Sequence, residues 1–171
     1  MIRINYTRQI THFFAFMLLQ LPLLYKFILF DVAFGFFYIG FILFLPLGLN
    51  RTTAMIIALL SGLLIDVFSN TPGIHASACV FIALVRNYWY LASIGDYEDD
   101  VNVSWNQLRI WGSLKYLLPM IFMHHLIIFI VENDGLSDFI HLTNKIIMSS
   151  LYTFIMVFGI SLLIAPRERS S

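Results

Sequence analysis

Charged side chains are scarce in this sequence. Lysine and arginine together number 10, aspartate and glutamate also number 10, and the four types make up only 12% of the 171 residues. Soluble domains carry about 25% charged residues, so the chain is not expected to be a water-soluble monomer. The formal net charge is zero, and the sequence lacks the basic patch typical of nucleic-acid binding. We therefore predict no nucleic-acid partner.

Cysteine is almost absent, since Cys79 is the only one in the chain. A single cysteine excludes an internal disulfide framework and any metal site built from several cysteines. Cys79 lies in an apolar run, which favours a small buried residue over a reactive thiol.

Motifs of catalysis and metal binding are also missing. The sequence contains no nucleophile elbow, no phosphate-cradling glycine loop and no HExxH pair. His124 and His125 are adjacent, so on a helix they point about 100° apart and are poorly placed to share a metal. The acidic stretch 96–100 lacks the ligand spacing of an EF-hand and is better interpreted as a solvated loop than as a metal site. We predict no enzyme activity, no cofactor and no metal.

Long apolar runs dominate the sequence, in which 60% of the residues are hydrophobic and 16% aromatic. A helix crosses a bilayer with roughly 20 apolar residues. Six apolar segments lie at about residues 10–24, 32–49, 52–69, 74–91, 113–131 and 146–164. The sequence therefore predicts an all-α integral membrane protein with about six transmembrane helices, forming a single polytopic membrane domain over residues 1–171.

The first two segments are short for perpendicular spans. Gln20 and Pro22 interrupt the first, and the second ends at Pro46 and Gly48. One of these two segments could therefore be a broken or re-entrant helix. Membranes allow such a helix only where protein covers the backbone. Thr52 and Thr53 are expected to cap the third segment.

Lysine and arginine are distributed unevenly across a six-span arrangement. One side holds Arg3, Arg8, Arg51, Arg86, Arg109, Arg167 and Arg169, whereas the other holds Lys26 and Lys145. The positive-inside rule then places both termini in the cytoplasm. Arg86, Trp89 and Tyr90 at the end of the fourth segment are expected in the interfacial belt.

Asp66 is the strongest candidate for a functional residue, because it is an ionisable side chain at membrane depth. Ala54, Ala58 and Gly62 precede it at steps of four, so the small residues and the carboxylate share one helix face. Such a face lets a neighbouring backbone approach closely. We therefore expect Asp66 to point at protein and not at lipid.

His75 lies across a short turn from Asp66, and that turn contains Pro72 and Gly73. An imidazole near a carboxylate either relays protons or fixes a helix–helix contact through a charge-assisted hydrogen bond. The structural contact is the favoured interpretation. Positions at steps of four from His75 are small or polar and predict an inward packing face: Cys79, Ala83 and Asn87.

The stretch GLLIDVFSNTPGIHASACVFIALVRNYW resembles the motif region of the bacterial rod shape-determining protein MreD family. That family shows a glycine, an aspartate four residues on, a polar turn, and a glycine followed by an apolar residue and often histidine-alanine. The matching positions are Gly62, Asp66, Pro72, Gly73, Ile74, His75 and Ala76. The resemblance is specific over residues 62–86 and loose elsewhere, and the acidic stretch 96–100 departs from the family pattern.

The resemblance implies a non-enzymatic scaffold of the cell-elongation machinery in the bacterial inner membrane. Its partner would be the bitopic shape protein MreC and, indirectly, MreB, the glycan polymerase RodA and a class B penicillin-binding protein, with membrane lipids around it. The implied fold is similar to the substrate-binding subunits of energy-coupling-factor transporters. The face around Asp66 would brace the bundle or help dock MreC. The alternative is a subunit that captures a small, vitamin-type molecule, which needs convergent polar groups in a pocket.

Overall fold

Six helices and a two-stranded ladder make up the described part of the chain, which in the computed structural model comprises residues 6–20, 28–29, 32–95, 105–132 and 139–164. The helices are α1 (Tyr6–Gln20), α2 (Ile39–Leu43), α3 (Arg51–Ser69), α4 (Ile74–Ser93), α5 (Trp105–Glu132) and α6 (Phe139–Ile164). The strands β1 (Ile28–Leu29) and β2 (Ala33–Phe34) pair antiparallel. The protein is therefore mostly helical, as predicted, with a short antiparallel ladder that the all-α prediction did not include.

Three helices in the described ranges are long and apolar enough to cross a membrane: Arg51–Ser69, Leu108–Glu132 and Phe139–Leu163. They correspond to the third, fifth and sixth predicted segments. α4 has 20 residues and packs against both α3 and α5. The continuation of the first segment beyond Gln20 and the acidic stretch 96–100 lie outside the described residues.

The second predicted segment is not one continuous span. Residues 32–49 form β2, a turn, the five-residue helix α2 and a second series of turns. All side chains from residue 36 to residue 47 are buried. A Cβ at Gly40 would lie 2.4 Å from the ring of Phe16, so glycine allows α1 to pack against this segment. The segment is thus broken and covered by protein, the arrangement under which membranes tolerate irregular backbone.

Gln20 at the end of α1 satisfies two backbone groups of this broken segment. Its side-chain Nε2 donates to the carbonyl of Gly35 at 3.0 Å, and its Oε1 accepts from the N–H of Tyr38 at 3.3 Å. Buried backbone groups almost always have partners. Gln20 therefore provides the hydrogen-bond partners that water would otherwise provide to the backbone of the broken segment.

Two hydroxyl groups of α6 serve the same purpose from another side. The N–H of Phe34 donates to Ser149 Oγ at 2.9 Å, and the N–H of Phe36 donates to Thr153 Oγ1 at 3.0 Å. Hydroxyls in apolar helices commonly bond back to their own helix. In this protein they accept from the broken segment and attach it to α6.

Arg86 of α4 is fully buried within the protein. Its guanidinium donates to the carbonyls of Ile42, Leu45 and Pro46 at 3.2, 2.6 and 2.7 Å. Ile42 lies in the last turn of α2, and Leu45 and Pro46 follow the helix. A cation stabilises the partial negative charge at such a helix end. The position of Arg86 along its own helix does not reveal these backbone partners. Tyr90 is likewise buried.

Two further side chains donate to the same stretch of backbone. Asn87 Nδ2 donates to the carbonyl of Leu47 at 2.8 Å, and the hydroxyl of Tyr116 in α5 donates to the carbonyl of Leu43 at 3.0 Å. The end of α2 is therefore held by donors from both α4 and α5. These bonds replace the water that the bilayer interior does not supply.

A proline inside α5 is accommodated by a donor from α4. Pro119 has no N–H, so the carbonyl of Lys115 four residues earlier loses its helical donor. The indole Nε1 of Trp89 donates to that carbonyl at 3.0 Å. The proline thus contributes to the contact between α4 and α5.

Replacing Arg86 by methionine is expected to lower the free energy of unfolding by about 1–3 kcal/mol, the usual cost of a buried carbonyl left without a donor. The carbonyls of Ile42 and Pro46 keep backbone donors from Leu45 and Leu49, so the main loss falls on the carbonyl of Leu45. Thermal unfolding of the purified protein in detergent measures the change. Arg51→Met is the matched control, since Arg51 is exposed. Equal melting temperatures for the two variants would contradict the role assigned to Arg86.

Candidate functional site

The turn between α3 and α4 reverses the chain within residues 70–73. Asn70 (φ 54°) ends α3 and Gly73 (φ 84°) precedes α4, and both adopt left-handed backbone conformations. Glycine adopts such angles without steric cost, and asparagine tolerates them better than most residues. The carbonyl of Asp66 accepts from the N–H of Thr71 at 3.1 Å, which closes the end of α3. The last turn of α3 therefore faces the first turn of α4.

The Asp66 carboxylate caps the start of α4. Its Oδ1 accepts from the N–H of His75 at 2.9 Å, and its Oδ2 accepts from the N–H of Ala76 at 3.0 Å. The first N–H groups of a helix lack intrahelical acceptors, and the positive end of the helix dipole favours an anion there. Gly73, at the cap position, has no side chain to fill this role. Asp66 supplies the missing cap from the neighbouring helix.

Two side chains complete the surroundings of the carboxylate. Thr71 Oγ1 donates to Asp66 Oδ1 at 2.9 Å, and His75 Nδ1 lies 3.0 Å from the same oxygen. A carboxylate only accepts, so Nδ1 is assigned as the protonated nitrogen. Asp66 is 4% exposed and His75 is 2% exposed. The four donors all come from the turn or from α4, which is the geometry of a contact that fixes the hairpin.

The small residues of α3 lie on its buried face, as the spacing predicts. Ala54, Ala58 and Asp66 are all buried. A Cβ at Gly62 would lie 2.4 Å from Ala76 Cα and 2.7 Å from Ala76 N, so only glycine permits this approach of the two backbones. α4 therefore occupies the space that a partner helix would need. Of the two roles considered for this face, bracing the bundle is compatible with this contact.

Pro72 lies in the turn beside the carboxylate. A shallow hollow of 360 Å³ is lined by Asp66, Thr71, Pro72 and Gly73 together with flanking residues of α3. The structure thus brings Gly62, Asp66, Pro72, Gly73, His75 and Ala76 to one end of the hairpin. Ala54 and Ala58 continue the same contact further along α3.

Three histidines surround the ring of Phe36, which sequence reasoning did not foresee. The ring centroids of His75, His124 and His125 lie 5.2, 6.0 and 5.1 Å from that of Phe36. All three imidazoles are buried. Within the described residues, no three histidine, cysteine or acidic side chains are placed to hold a metal ion.

The second and third of these histidines are bonded to other elements. His124 Nε2 lies 2.8 Å from the hydroxyl of Tyr38, and His125 Nε2 lies 3.1 Å from Thr153 Oγ1. In the sequence, the only indication of this buried polar contact in α5 is the pair of adjacent histidines within an apolar run. The partners Tyr38 and Thr153 lie far away in the sequence, and no local pattern links them to these histidines.

Comparison with protein-family models, with curated proteins and with solved structures gives no match to this chain. The resemblance to the MreD family therefore rests on the sequence motif, and the function is argued from that motif and its geometry.

Gly62→Ala is expected to destabilise the protein by about 1–3 kcal/mol, the usual cost of overpacking a tight contact. The added methyl would meet the α4 backbone, which cannot move without separating the two helices. Gly159→Ala in α6 is the matched control, since a methyl group at that position would meet no neighbouring atom within 4 Å. Thermal unfolding of both variants distinguishes them, and equal effects would refute the close approach.

Asp66→Asn is expected to lower the free energy of unfolding by about 1–3 kcal/mol. The carboxamide replaces one accepting oxygen by an NH2 group, which cannot accept a hydrogen bond from the surrounding donors. Glu132→Gln is the control, since Glu132 pairs with Lys145 at 3.6 Å in a partly exposed position and such pairs contribute little. Denaturant or thermal unfolding checks the difference. A melting temperature for Asp66→Asn as high as for Glu132→Gln would argue against the capping role.

Proposed function

We propose that the chain is a non-enzymatic scaffold of the bacterial inner membrane that binds MreC and links it to the cell-elongation machinery. The observation that carries the proposal is the hairpin between α3 and α4. The residues of the MreD-like motif include Gly62 at the helix–helix contact, Asp66 at the cap and His75 beside it. These motif residues all support the contact between α3 and α4. Such a structural role suits a scaffold, which acts by binding other proteins.

The described chain places little protein outside the apolar helices. Three of its helices are suited to crossing a membrane. A partner must therefore be met through lipid-facing surfaces or short connections, which suits a bitopic protein such as MreC. Through MreC, the scaffold would reach MreB, RodA and a class B penicillin-binding protein and so influence rod shape and peptidoglycan synthesis.

The orientation that we propose has both termini in the cytoplasm, with about six spans and a fold similar to the substrate-binding subunits of energy-coupling-factor transporters. One contact is compatible with this orientation. The Arg51 guanidinium lies 4.5 Å above the ring of Tyr88 and donates to its hydroxyl. An exposed arginine beside an aromatic ring is typical of a membrane interface, and arginine favours the cytoplasmic side.

Capture of a small molecule is less well supported by the described residues. A binding pocket needs polar groups that converge on a cavity. Asp66, His124 and His125 instead bond to other side chains or to backbone within the bundle. These polar groups are engaged in holding elements together.

Co-purification tests the proposal. The tagged chain, expressed in a rod-shaped bacterium and extracted in mild detergent, is expected to recover MreC. Gly159→Ala should recover as much MreC as the unaltered chain, whereas Gly62→Ala should recover less per folded molecule, because it separates the helices that the scaffold relies on. Recovery of neither MreC nor any other elongation protein with the unaltered chain would refute the proposal.

A further inference from the structure

A groove runs between α5 and α6 on the outside of the bundle. Its cavity measures 250 Å³ and its walls are almost entirely apolar. Phe122, Leu126 and Ile130 form one wall at steps of four along α5. The buried side chains of Leu142 and Ile146 contribute from α6. Because Phe122 is exposed, the groove opens towards the surroundings of the helices.

The groove adjoins a second hollow with a different character. This hollow measures 640 Å³, shares Phe139 and Thr143 with the first, and adds the polar side chains of His141 and Asn144. Both polar residues are exposed. An apolar slot thus meets a rim of hydrogen-bonding side chains near the start of α6, and the combined shape suits an amphiphile.

The length of the slot distinguishes between possible occupants. The spanning part of α5 ends at Glu132, and that of α6 begins at Phe139, so both mark the same side of the membrane. From Phe122 to Glu132 the helix rises about 15 Å at 1.5 Å per residue. The hydrocarbon core is about 30 Å thick, so the slot reaches roughly the midplane. A membrane helix of a partner would need a groove of the full thickness, whereas one lipid chain occupies a single leaflet.

We propose that this groove binds one acyl chain of a glycerophospholipid, with the lipid phosphate and glycerol at the rim formed by His141, Thr143 and Asn144. The rim contains no acidic lining residue. The nearby Lys145 is balanced by Glu132 at 3.6 Å. Hydrogen bonds rather than net charge therefore recognise the headgroup. This inference is independent of the scaffold function.

Photo-crosslinking in nanodiscs tests the proposal. A phospholipid with a diazirine in its acyl chain should crosslink to peptides that contain residues 122–130 and 139–147. Leu126→Trp, which fills the slot, should lower these crosslinks about tenfold, the factor that corresponds to losing roughly two buried methylenes. Leu60→Trp is the matched control, because Leu60 is 62% exposed on α3, and it should leave them unchanged.

The rim is tested separately, so that a folding defect of the slot variant does not decide the outcome. Asn144→Leu changes an exposed side chain and should weaken crosslinking of the phospholipid while leaving that of a diazirine fatty acid unchanged. Crosslinks spread evenly over the exposed faces of α3 and α6, or equal yields for Leu126→Trp and Leu60→Trp, would show ordinary surrounding lipid and overturn the proposal. If Asn144→Leu changed the crosslinking of the phospholipid and of the fatty acid equally, the proposal that the rim recognises the headgroup would be overturned.

Discussion

The need to satisfy every backbone polar group without water governs this structure. Residues 32–49 lack a continuous helix and are largely buried, and a bilayer interior offers their backbone no solvent donors. Side chains from α1, α4, α5 and α6 provide the partners instead. Arg86 contributes most, since its guanidinium donates to three carbonyls in and just after α2. Many of the polar side chains in the apolar helices are explained by this need for backbone hydrogen-bond partners.

α4 is the helix on which these contacts converge. At its start the backbone N–H groups of His75 and Ala76 receive the carboxylate of Asp66. Further along, Arg86 extends to the broken segment and Trp89 to the carbonyl freed by Pro119. The helix is thereby tied to α2, α3 and α5 through hydrogen bonds, not apolar packing alone. Apolar packing in lipid gives helices little preference for one another, so such directional bonds help to specify the arrangement.

The close packing of α3 against α4 gives the residues around Asp66 a structural role. The small-residue face of α3 packs against α4, so the residues around Asp66 hold these two helices together. The exposed apolar surfaces include the groove between α5 and α6. A helical bundle whose interior is tied in this way presents a defined exterior to its surroundings.

The membrane class and the position of the hairpin followed from the sequence alone. Hydropathy, the spacing of Ala54, Ala58 and Gly62, and the turn residues 70–73 are local signals, because they depend on composition or on helical period. The broken course of residues 32–49 and the burial of Arg86 were decided by the tertiary structure. Those features depend on hydrogen bonds between residues 40 or more positions apart. A local pattern does not encode which distant carbonyl will need a donor, so Arg86 acquires its role only once α2 and α4 are packed together.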